Sequence, residues 1–210
     1  MTLIWTLYSI AWAASASAGD GLQAAGDSGQ VTCAQRVEEL ERDRSGVGRN
    51  QAAEERYHVI MALGATGPAA ACAIEPLRLA TRDDYFAARV AAVKALGRIG
   101  PRAMRAVPDL MARWNDEEVD GDVIVTALSQ LGPEIIPRLI PYLDAEREPD
   151  ADVPGGPHDL AARALATFGA RAVPALIPAL NREVARFSAA LALESIGPAA
   201  ETAAPALVAR

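Results

Sequence analysis

The chain has 210 residues, with 20 Lys+Arg against 27 Asp+Glu and a formal charge of −7. That balance argues against nucleic acid as the ligand, because phosphates demand a basic face, and it mildly favours a basic partner or a cation. Hydrophobic residues make up 51% but aromatics only 5%; alanine, the best helix former, with regular Leu, Ile and Val, reads as packed helices and not as a sheet.

The N-terminus comes first. Leu3 to Ala14 is an uncharged run containing Trp5 and Trp12, followed by Ala16-Ser17-Ala18 and then Gly19-Asp20. A small-x-small signature after an apolar run predicts a signal peptide over 1–18, cut after Ala18, and hence a periplasmic or secreted protein. The n-region lacks Lys and Arg, and a buried helix or membrane anchor is the competing reading. The run of about 16 apolar or small residues is short of the roughly 20 that span a bilayer, so no membrane span is expected after cleavage. Residues 19–30 read as a flexible tether.

Residues 31–49 read as an N-terminal capping helix: Val31 to Arg44 is rich in Glu, Arg and Leu, with Val37 and Leu40 at helical spacing, joined to the repeats by the Ser45–Asn50 loop. Cys33 lies in it. The other cysteine, Cys72, lies in the first repeat. In an oxidising compartment an even pair is a disulfide candidate; two buried thiols are the alternative.

From residue 50 to 210 the chain repeats. Ala62-Leu63-Gly64-Ala65-Thr66-Gly67-Pro68 returns as Ala95-Leu96-Gly97-Arg98-Ile99-Gly100-Pro101, and then as Ala127-Leu128-Ser129-Gln130-Leu131-Gly132-Pro133. Ala164-Leu165-Ala166-Thr167-Phe168-Gly169-Ala170 and Ala192-Leu193-Glu194-Ser195-Ile196-Gly197-Pro198 complete five copies, their last glycines 33, 32, 37 and 28 residues apart. The constant Ala marks where a neighbouring helix comes close, the Leu beside it fills the gap, and the glycine ends the helix in a left-handed C-cap. After each turn a second apolar stretch opens near a proline: Pro76, Pro108, Pro137, Pro174 and Pro205. A missing N–H there costs nothing. Sixteen residues before the glycines stand Gln51, Asp84, Asp116 and Asn181, expected to N-cap the first helices. Eleven before them Arg56, Arg89 and Arg186 recur, able to form a ladder with the cap residues.

These residues resemble the HEAT-repeat family, and more narrowly the short Ala-rich bacterial repeats related to phycobilisome lyases. The resemblance implies an all-α, right-handed superhelix of about five helical hairpins with the second helices on the concave face. It also implies that Asp84, Asp116, Arg89 and Arg186 belong to the structural ladder. The last second helix begins at Ala204-Pro205 and is short.

Little in the sequence carries catalysis. His58 and His158 fall in different repeats without the repeated His-Glu dipeptides of metal-binding HEAT proteins, and neither cysteine has zinc spacing. No phosphate loop, nucleophile elbow or His-Glu-x-x-His occurs, so no catalytic residue, metal or cofactor is expected. The loops entering the first helices are acidic. They read either as helix caps and a solvated edge, or as a rim for a basic partner, with a weak calcium site at Asp120, Asp122, Asp150 and Asp152 as a further reading. The Asp144–Asp159 loop is long for a compact repeat, and an insertion in one repeat often marks a binding face. On the second helices Arg78, Arg82, Asp109, Arg113, Arg138 and Tyr142 are the candidate partner-binding residues, Tyr and Arg being favoured anchors. The expectation is a non-catalytic exported scaffold that binds a protein or peptide. The alternative is a lyase or chaperone-isomerase-like accessory acting on a bound chromophore or other ligand.

Overall fold

The computed structural model describes residues 31–43, 49–145 and 156–208. The signal-peptide and tether segments, and residues 146–155 of the long loop with Asp150 and Asp152, lie outside the described residues. The helices are α1 (Cys33–Asp43), α2 (Arg49–Ala65), α3 (Ile74–Ala80), α4 (Phe86–Ile99), α5 (Val107–Met111) and α6 (Gly121–Gln130). They continue as α7 (Ile136–Leu139), α8 (Pro157–Thr167), α9 (Val173–Ala179), α10 (Ala185–Ile196) and α11 (Ala204–Val208). The expected solenoid is present. First helices stack in chain order, α2 on α4, α4 on α6, α6 on α8 and α8 on α10, and the second segments pack behind them.

The repeat columns explain that stacking. The constant alanines Ala95, Ala127, Ala164 and Ala192 are at most 1% exposed, and the leucines Leu63, Leu96, Leu128, Leu165 and Leu193 at most 3%. A Cβ on Gly64 would lie 2.9 Å from Ala95 Cβ, and one on Gly97 would lie 2.7 Å from Ala127 Cα. The small column of one helix therefore receives the alanine of the next, which draws the helices together. Each buried Leu removes enough apolar surface from water to stabilise the stack by about 1.5–3 kcal/mol.

Two details of the turns differ from expectation. All five repeat glycines have positive φ, from +55° at Gly67 to +89° at Gly132. However, ψ is −147° at Gly100, 167° at Gly132 and −139° at Gly197, far from a left-handed helical cap. That region is open essentially to glycine alone, and it reverses the chain directly into the next segment. The second helices then open as 3-10 turns, Gly67–Ala73, Gly100–Ala106, Pro133–Ile135, Gly169–Arg171 and Gly197–Ala203, before becoming α-helical. A proline near the start of each fits, since the first donors of a helix have no internal acceptor.

The N-caps also differ. Gln51 lies inside α2, α4 begins after Tyr85, and α10 begins after Val184, well past Asn181. Asp120 caps α6 by accepting the Asp122 N–H at 2.9 Å, while Asp116 accepts that of Glu118 at 3.2 Å in the preceding turn. Each entry loop contains a turn of its own, so the helix starts later than a fixed offset from the glycine places it.

α1 packs on α2 and on the Gly67–Ala73 turn, burying Leu40 completely. A Cys33–Cys72 disulfide, with 6.4 Å between Cα atoms, fastens it there. No single described helix is long and apolar enough to cross a membrane.

Candidate functional site

The second segments of three successive repeats bring four of the six candidate residues into one group. Asp109 stands in the first turn of α5 and is 7% exposed, so its carboxylate needs partners. Arg78, in the last turn of α3, donates from Nε to Asp109 Oδ2 at 2.5 Å, and Arg82 Nη2 reaches Oδ1 at 3.4 Å. Arg78 also holds Glu75, one turn back, through Nη1 at 2.8 and 3.0 Å. The hydrogen bond it donates to Asp109 raises the Arg78 pKa above its ordinary value against the opposing effect of burial. Tyr142, on the Ile140–Asp144 turn after α7, has its phenol pushed up by burial and then by the Asp109 charge.

The other two candidates stand apart. Arg113 follows α5 and reaches Asp116 at 3.8 Å, which places it with the loop-edge charges. Arg138 lies on α7, exposed, with no ion pair within 4 Å among the described residues. Glu75 was not among the sequence candidates; its only signal was helical spacing from Arg78. The Arg182–Asp144 ion pair was likewise missed, because its partners lie on opposite sides of the long loop.

The loop edge carries a ladder that keeps Arg89 and Asp116 of the expected set but not Asp84 or Arg186. Arg56 grips Asp83 with two bonds of 2.8 Å, and Arg89 grips Asp116 at 2.9 and 3.3 Å, each across 27 residues. Asp83, not Asp84, is the rung: its carboxylate also caps the Tyr85 N–H at 2.9 Å, while the Asp84 side chain is turned to solvent. Arg89 additionally bonds the Asp83 carbonyl at 2.9 Å and pairs with Glu118. Arg186 makes no ion pair within 4 Å among the described residues. Much of the loop acidity is thus matched internally: Asp83, Asp116, Glu118, Asp122, Asp144 and Asp159 all face arginines. Of the calcium reading, Asp120 is spent on its cap and Asp122 on Arg163. Among the described residues no group of three or more His, Cys, Asp or Glu is placed to hold a metal.

His58 stacks edge-on against Tyr57 with ring centroids 5.2 Å apart. His158 opens α8, with its ring so close to Gly156 that a Cβ there would lie 2.5 Å from Cε1. The second-segment group thus consists of ion pairs around Asp109 with Tyr142 beside them.

Residues 36–129 match HEAT repeats, and residues 160–182 match the PBS lyase HEAT-like repeat. The chain is a HEAT-repeat protein. No match was found among curated proteins. Among solved structures, the HEAT-repeat chain is similar to the crystal structure of an engineered protein from the Northeast Structural Genomics Consortium. That likeness is at 20% identity and a TM-score of 0.44, covering 82% of this chain and 84% of the other.

Proposed function

We propose that this HEAT-repeat protein is an exported, non-catalytic scaffold that holds a protein or peptide partner on the face of its second segments. The observation that carries the reading is the Glu75–Arg78–Asp109–Arg82 charge group with Tyr142 beside it, spanning three repeats. A partner laid across the repeats meets a half-buried tyrosine, the exposed Arg82 guanidinium and Glu75 carboxylate of the charge group, and the exposed Arg138 four residues before the tyrosine. Tyr and Arg dominate binding hot spots, and the overall charge of −7 favours a partner with basic character. The apolar run and small-x-small signature of residues 1–18 support export.

A photo-crosslinker at position 138 tests the face: a discrete adduct in extracytoplasmic extract, diminished by Tyr142→Ala, is expected. An adduct pattern unchanged by that substitution removes this face. Intact mass of the secreted chain tests export, with loss of residues 1–18 expected. A full-length chain retained in the cytoplasm removes it.

One observation favours a second reading, the PBS lyase HEAT-like match at 160–182. It suggests an accessory acting on a bound chromophore. Both cysteines are joined to each other, so neither offers a thiolate to a ligand while the bridge stands. Titration with a free bilin separates the readings, since a saturable spectral shift supports the accessory and an unchanged spectrum removes it.

A further inference from the structure

The first helices carry a groove remote from the second-segment face. It lies between α4 and α6, has a volume of roughly 320 Å³, and is lined by Lys94, Arg98, Asp122, Val123, Thr126, Ala127 and Gln130. Its walls are in register. Lys94 and Thr126 each stand six residues before their repeat glycine, and Arg98 and Gln130 each stand two before. Its floor is apolar, made by Val123 and Ala127, and Gly97 lets the two helices close to that depth.

The charges in and around the groove are unlike those of the chain as a whole. The cations that line it are Lys94 and Arg98, in a chain of charge −7. Both are exposed, and neither makes an ion pair within 4 Å among the described residues. The one carboxylate that lines the groove, Asp122, is paired with Arg163. Arg56, Arg78, Arg89, Arg163 and Arg182 pair across repeats; here two cations face hydroxyl and amide groups across a cleft.

We propose that the α4–α6 groove binds an extended acidic peptide segment bearing carboxylates on alternate residues. Two observations set this occupant. The first is charge complementarity at Lys94 and Arg98. The second is spacing: four residues of helix advance about 6 Å, and alternate side chains on one face of an extended strand are separated by about 6.5 Å. One carboxylate meets Lys94 beside Thr126, the next meets Arg98 beside Gln130, and the intervening side chain points away from the floor. The proposal does not depend on the second-segment face; it gives the scaffold a second surface with the opposite preference.

The test is fluorescence anisotropy on the full chain with a labelled Glu-Ser-Glu-Ser-Glu peptide. Its comparators are a peptide of the same composition with its glutamates adjacent, inorganic phosphate, and a single-stranded oligonucleotide. Saturable binding of the alternating peptide is expected, weakened roughly tenfold or more by Lys94→Gln/Arg98→Gln, as the loss of two charge contacts implies. Arg138→Ala/Tyr142→Ala should leave it unchanged. The substituted side chains are exposed, and circular dichroism verifies that the variant folds. A Lys94→Arg/Arg98→Lys variant that keeps binding shows that charge is what is read. Absent binding, or binding indifferent to the Gln variant, overturns the proposal. So does equal or tighter binding of the oligonucleotide or of phosphate at the same residues, and equal affinity for the adjacent-glutamate peptide overturns the register.

Discussion

At Gly97 two physical effects oppose one another. Alanine is favoured over glycine inside a helix by about 1 kcal/mol, so Gly97→Ala would ordinarily stabilise α4. The new Cβ, however, falls 2.7 Å from Ala127 Cα, which is backbone and cannot turn aside. Overpacking of this kind costs about 1–3 kcal/mol, so a lower urea midpoint is expected, and Gln130→Ala should not restore it. Gly197 is the contrast: nothing lies within 4 Å of a Cβ there, but φ is +68°. Gly197→Ala therefore suffers only backbone strain, about 1–3 kcal/mol. Tyr142 supplies a residue-scale prediction in pH. Burial, then Asp109, raises its pKa above that of an unfolded tyrosine. Its contribution to stability is fully present below about pH 10 and is lost as pH rises through the higher folded-state value. The tyrosinate difference spectrum between wild type and Tyr142→Phe should show late ionisation, shifted earlier in Asp109→Asn. Ionisation at the ordinary pH in the folded protein would contradict this. None of these contacts was legible as a pair in the sequence, although Arg78, Asp109 and Tyr142 were each singled out. Their meeting depends on how three repeats stack, and only the in-phase repeat hinted at it.

Among the elements, the first helices were the most legible, because their Ala and Leu columns are set by packing that recurs in each repeat. The second segments were less so. A choice between 3-10 and α hydrogen bonding at their starts depends on how the reversed chain leaves each glycine, and proline is compatible with both. The caps were misplaced because the entry loops differ in length, so the distance from glycine back to helix start is not constant. α1 stands apart, since it has a single neighbouring repeat and a covalent tie. The disulfide closes a separation of 39 residues, which constrains the unfolded chain by about 2–4 kcal/mol. Cys33→Ser/Cys72→Ser should lower stability by that order. Hydrogen exchange should quicken first over residues 33–43 while α6 and α8 keep their protection. Uniform loss along the whole chain would show that α1 is integral to one cooperative unit.

Across the whole molecule, stability is the sum of repeat terms and neighbour interfaces, and the arginine rungs belong to the second kind. Arg89 and Asp116 have side chains 13% and 14% exposed, and Arg89→Ala leaves Asp116 only the Glu118 N–H and Arg113 at 3.8 Å, so it should cost about 1–3 kcal/mol. Arg56→Ala is expected to act likewise on Asp83, whose side chain is 5% exposed. The two rungs share Asp83, which accepts Arg56 at its carboxylate and Arg89 at its carbonyl. The double variant should therefore depart from additivity by about 0.5 kcal/mol or more, measured by denaturant unfolding; strict additivity would show independent rungs.

The constant 27-residue reach of these rungs also bears on how such a chain changes length. Arg56 and Arg89 occupy equivalent places, and each holds an aspartate the same distance ahead. Excising residues 57 through 89 would leave Arg56 at that same distance from Asp116, and inserting a copied unit would create a new matched pair. The rung thus makes these two boundaries interchangeable, so a gene encoding this stack can gain or shed a repeat there by unequal recombination without inventing a new ion pair.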